Sequence, residues 1–121
     1  MELKEYSVLE IRNNYDKLCK KGYLKVKGFY RDDKKKGVIL PDQDAEYGLQ
    51  FFEPINRLLK MIDAEKYEGW MRLICIVDPV YDPSYNIGRV VKIELLDDKD
   101  NITNSATIGE SEIPKELEGK I

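Results

Sequence analysis

Rings and cations take turns between residues 23 and 31 of this 121-residue chain: Tyr23, Lys25, Lys27, Phe29 and Arg31 occupy alternate positions. On a strand, alternate residues share a face, so the five would form one row. Such a row suits a single-stranded nucleic acid, with rings stacking on bases and cations following phosphates. Lys34, Lys35 and Lys36 lie just beyond and would add phosphate contacts. The competing structural reading tucks Tyr23 and Phe29 beneath an N-terminal helix and leaves Lys25 and Lys27 merely solvated. A second candidate is loop 78–88, which holds Tyr81 and Tyr85. Its two prolines lower the cost of ordering it around a ligand; the alternative is a surface loop with its tyrosines lying flat.

Other chemistry is limited by what the chain lacks. It has no His, which excludes Ser–His–Asp and Cys–His nucleophiles and any His metal ligand. Cys19 and Cys75 share no metal-type spacing and are expected as free thiols, with Cys75 acting as a small core hydrophobe. Cys19 has no candidate base. The acidic sets Asp42, Asp44, Glu46 and Asp97, Asp98, Asp100 do not match a calcium loop and read as solvated turns. No Gly-rich phosphate loop is present. The expectation is a protein that is not an enzyme and needs no cofactor or metal.

Charge is unevenly spread. Residues 1–36 hold 11 basic and 6 acidic side chains, and residues 37–121 hold 9 and 17, recovering the net −3. Residues 97–121 alone carry 3 basic and 7 acidic groups. The acidity belongs largely to this last segment, leaving residues 1–96 near neutral with a basic N-terminal third. Such asymmetry is a cue for a charged partner, set against plain solubilisation of the surface.

The elements that would position these residues follow from periodicity. Ser7-Val8-Leu9-Glu10 fits a capping box, and Val8, Ile11, Tyr15 and Leu18 share one helical face, so a helix is expected over 7–20. The alternation at 23–31 is a strand with Leu24, Val26 and Tyr30 buried, and Gly28 marks a point where a bent strand wants no side chain. Val38–Leu40 and Tyr47–Phe52 are further strands, the latter with Tyr47, Leu49 and Phe51 on one side. Pro54 opens a helix whose stripe is Ile55, Leu58, Leu59 and Ile62. Residues 70–77 read as a central strand buried on both sides, and 89–96 as a fifth strand. Beyond Asp97 the pattern thins: 102–108 suits an edge strand and 111–121 one frayed helical turn. The domain reading is one unit over 1–96 followed by an acidic, weakly structured tail over 97–121.

Three strands, a helix and two strands is the element order of the OB-fold, a small five-stranded Greek-key barrel. The stretch Lys21-Gly22-Tyr23-Leu24-Lys25-Val26-Lys27-Gly28-Phe29 resembles the opening strand of many OB-fold proteins, and the helix near 54–62 stands where that fold places its barrel-plugging helix. The resemblance covers about residues 20–96 and implies a mainly β chain: a five-stranded OB-like barrel with two helices, one N-terminal and one between strands 3 and 4. Two functions stay open. One is an OB-like module for single-stranded nucleic acid, whose affinity should tighten when 97–121 are removed. The other is a protein-binding module such as an immunity protein, a phage-type inhibitor or an assembly subunit. The longest apolar run, Leu73–Val77, is far too short for a bilayer, and the acidic N-terminus does not read as a secretory signal, so a cytoplasmic protein is expected.

Overall fold

The computed structural model describes residues 3–32, 37–42, 47–51, 55–78 and 86–121. In chain order the elements are β1 (Glu5–Ser7), α1 (Val8–Asn13), α2 (Tyr15–Leu18), β2 (Gly22–Arg31), β3 (Val38–Leu40), β4 (Leu49–Gln50), α3 (Ile55–Met61), β5 (Gly69–Val77), β6 (Gly88–Leu96) and β7 (Ile102–Thr107), followed by 3-10 turns at Glu110–Glu112 and Lys115–Leu117. The chain is mainly β with three helices, where the sequence suggests two. The extra one arises because the expected helix over 7–20 breaks at Asn14. The capping box forms as read, with the Glu10 N–H donating to Ser7 Oγ at 3.1 Å and the Ser7 N–H to Glu10 Oε1 at 3.2 Å. Four residues after Glu10, Asn14 turns its backbone to φ −128°, and its side-chain amide donates to the Glu10 carbonyl at 3.1 Å. The Asn14 backbone N–H reaches the same carbonyl at 3.1 Å and closes the last turn of α1, so Asn14 both ends α1 and starts α2.

The strands form one sheet in the order β4-β3-β2-β5-β6-β7, with β1 running parallel along β2. The other strand pairs are antiparallel. The described strands thus form an open sheet of seven, without the closure into a five-stranded barrel that the element order leads one to expect. β4 is only two residues long and offers too few ladder groups to close the sheet. It meets the far side through a single parallel bridge, Gln50 with Asn86, in which the Ile87 N–H donates to the Gln50 carbonyl at 2.9 Å. Tyr47, expected beside Leu49 and Phe51, is exposed instead, with Arg12 5.2 Å from its ring.

The core lies on one side of β2. Leu24, Val26 and Tyr30 point into it, as do Val8 and Ile11 of α1 and Ile55, Leu58 and Leu59 of α3. Gly28 occupies the same side. A Cβ there would sit 2.6 Å from Ile39 Cγ2, 2.7 Å from the Leu40 carbonyl oxygen and 2.8 Å from Val8 Cγ2, so α1 and β3 close onto β2 only over a glycine. Tyr30, fully buried, donates its hydroxyl to Asn56 Oδ1 of α3 at 2.7 Å. β5 is the central strand, and Leu73, Ile74 and Cys75 are all buried.

The chain beyond residue 97 is part of this body. β7 pairs with β6, and Leu117 and Ile108 are buried members of the core. Both thiols are buried and free. Cys75 Sγ contacts the Leu24 carbonyl at 3.3 Å, burial raises its pKa, and burial beside Asp16 lifts Cys19 to about 11. Among the described residues no helix is long and apolar enough to cross a membrane.

Candidate binding face

Because Leu24, Val26, Gly28 and Tyr30 face the core, Tyr23, Lys25, Lys27, Phe29 and Arg31 share the other side of β2. α1 packs on the Gly28 side, so the lead helix does not cover this row. Register then supplies neighbours that composition could not. Antiparallel pairing sets Tyr23 opposite Ile76, Lys25 opposite Ile74, Lys27 opposite Arg72 and Phe29 opposite Trp70. β6 continues the rungs with Lys92 beside Ile74 and Glu94 beside Arg72. Directly opposed residues point to the same face, so one face runs across three strands, with Ile74 and Glu94 buried at its middle.

The row divides into two ends and a middle. At one end the Phe29 and Trp70 rings meet edge to face, centroids 5.8 Å apart and planes at 87°. The Lys27 ammonium lies 5.4 Å from the Trp70 centroid, a cation–π placement. Its charge is also taken by Asp100 of the β6–β7 turn, at 2.6 Å to Oδ1 and 2.8 Å to Oδ2. In the middle, Glu5 of β1 and Glu94 of β6 both accept from the Arg72 guanidinium, and Lys92 stands 3.5 Å from Glu94. At the far end the C-terminal turns fold over Tyr23, whose hydroxyl donates to Glu116 Oε2 at 3.0 Å. Partial burial, then the Glu116 carboxylate, holds the Tyr23 phenol above its usual range. A cleft of about 370 Å³ sits here, lined by Leu3, Gly22, Tyr23, Glu116, Leu117 and Lys120.

On this side Lys27, Arg72, Lys92 and Arg89 thus each have an acidic partner. Glu112 accepts from Arg89 at 2.6 Å and from Arg57 of α3 at 3.0 Å, and these bonds, Arg89 first, hold its carboxyl below the usual range. Asp97 is likewise lowered, by the N–H groups of Asn101 and Lys99 at 2.9 and 2.8 Å, which shape the turn that delivers Asp100.

Of the residues read from sequence, the structure brings Tyr23, Lys25, Lys27, Phe29 and Arg31 onto one face. Arg31, at the β3 end, is half-buried and has a partner of its own. Lys34, Lys35, Lys36, Tyr81 and Tyr85 lie outside the described residues, as do Asp44 and Glu46. Sequence reasoning missed Trp70, Arg72, Lys92 and Glu94, and it read Asp100 as part of a solvated turn, where the structure sets it on Lys27. The alternation Trp70-Met71-Arg72-Leu73 carried a signal, since it marks Trp70 and Arg72 as one side of a strand. Which residues they oppose depends on register, which periodicity does not specify. Among the described residues no group of three or more His, Cys, Asp or Glu is placed to hold a metal ion. The chain matches no protein-family model, no curated protein and no solved structure.

Proposed function

We propose that this chain is a small, non-enzymatic OB-like binding protein that engages single-stranded nucleic acid on the outer face of β2 and β5. One observation carries the reading: Phe29 and Trp70 form a ring pair beside Lys27 on the side of the sheet that α1 leaves uncovered. Bases stack on such rings whatever their sequence, at about 1–3 kcal/mol each. Lys25, Lys27 and Arg31 would follow the backbone. The strand order supports the OB-like part. The sheet is one junction short of a five-stranded barrel, and that junction, β4 against β6, is where the Gln50–Asn86 bridge lies.

The test is anisotropy of a labelled oligothymidylate at low salt. Wild-type protein is expected to bind with an affinity that falls as salt rises. Phe29→Ala and Trp70→Ala should each weaken binding by about 5- to 150-fold. Asp100→Asn, which frees Lys27, should tighten it. Absence of binding by both wild type and Asp100→Asn ends the proposal.

A protein-binding module is the second reading, favoured by the acids that already neutralise this face: Asp100 on Lys27, Glu5 and Glu94 on Arg72, Glu112 on Arg89. A stoichiometric protein that co-purifies and stays bound to Phe29→Ala would select it.

A further inference from the structure

We propose that the outer edge of β7, which no other described strand pairs, is a docking strand for an extended segment of another protein that carries lysines or arginines on both flanks. The proposal gives the protein-binding reading a surface. It lies away from the ring–cation face, so its failure leaves the oligonucleotide reading standing.

Sheet edges in native proteins are usually blunted by charges, prolines or shortness, because unpaired backbone groups recruit other strands. The β4 edge is two residues long. β7 is six residues, Ile102-Thr103-Asn104-Ser105-Ala106-Thr107, with neither charge nor proline. Residues 102–105 are exposed, and Ile102 is 53% accessible. The Ile108 N–H points inward to the Val91 carbonyl at 3.0 Å. Backbone direction alternates along an antiparallel edge, so Ser105 and Thr107 turn their backbone groups outward. The Ser105 N–H agrees: it donates at 2.9 Å to the side-chain oxygen of its neighbour Asn104, a local stopper that an incoming strand can displace. A bulge at Thr103 leaves Asn104–Thr107 as the straight run, enough for a short added strand.

Charge decides the occupant. Asp97, Asp98 and Asp100 precede β7, and Glu110 and Glu112 follow it, with Lys99 the one cation in these flanks. Asp100 and Glu112 are already matched to Lys27 and to Arg89 and Arg57, which leaves Asp98 and Glu110 as the flank acids to meet; a second copy pairing antiparallel would bring these two toward each other, a like-charge match that costs affinity. Exposed Asp98 and Glu110 instead suit a strand with basic ends, which the acidic rims would also steer toward the edge.

The experiment titrates the full chain, followed by amide NMR, with a short peptide of alternating threonine and valine flanked by lysines. Its partner probe has the same centre flanked by glutamates. The lysine peptide is expected to shift the amides of residues 103–107 and to bind roughly tenfold or more tightly than the glutamate peptide, the difference shrinking with salt. Ser105→Pro, which removes an outward N–H, should abolish the shifts while the chain stays folded. If that variant fails to fold, Ser105→Lys carries the test and should weaken the lysine peptide about tenfold. Equal affinity for the two peptides, or shifts confined to other strands, overturns the proposal. So does a concentration-dependent dimer that Ser105→Lys dissolves, which would assign the edge to a second copy.

Discussion

Gly28 shows how far one missing side chain can reach. Its Cβ position is occupied by Val8 of α1, Ile39 of β3 and a backbone oxygen of Leu40 at under 3 Å, and the backbone atom has no rotamer to change. Gly28→Ala is expected to destabilise by about 1–3 kcal/mol, the usual cost of overpacking, read as a lower denaturant midpoint with the slope unchanged. Glu112 acts through charge. Its carboxyl is held below the ordinary range by Arg89 and Arg57, so the carboxylate form is favoured in the fold. The contribution to stability is complete above the ordinary glutamate pKa, about 4.3, and is lost as pH falls through the lowered folded value. Melting temperatures of wild type and Glu112→Gln should therefore differ at neutral pH and converge in acid. Constant separation down to pH 3 would refute the linkage.

At the scale of elements, local signals were legible where a short range of residues decides the outcome. Ser7 and Glu10 close their box because three positions suffice, and Ser7→Ala should cost about 1 kcal/mol in the same denaturation assay. The strand at 22–31 was legible because its alternation continues from Tyr23 to Arg31. Asn14 was not, since its break is a turn of one residue's backbone to φ −128° within an otherwise continuous helical periodicity. Trp70 beside Phe29 was not either, because register is a property of two strands and of the connection between them. The ring–cation row was therefore half readable: β2 gave its own residues, while β5, β6 and the 97–101 turn supplied the partners that change its charge.

For the molecule as a whole, the segment after residue 97 alters the experiment that the sequence recommends. Removing it looked like a way to bare a basic face. It carries β7, Ile108 and Leu117, so removal strips a strand from the sheet and a filler from the core. The 1–96 fragment is expected to lose its cooperative thermal transition, and Asp100→Asn is the variant that exposes Lys27 with the body intact. A cooperative fragment melting near the full chain would return residues 97–121 to the status of an appendage. The same packing explains why the net charge misleads: acids from this segment sit on Lys27, Arg57 and Arg89, so its negative charge is folded into the surface of the body.

The two sealed sulfurs give this protein a built-in clock. Cys75 lies at the centre of the sheet with no accessible surface, and Cys19 sits just past α2 with 6%. A thiol-specific reagent can reach either only after the surrounding structure parts, and the elevated pKa values keep them from reacting as thiolates beforehand. Labelling at Cys19 should time the lifting of the short helices, and labelling at Cys75 the rarer parting of the whole sheet.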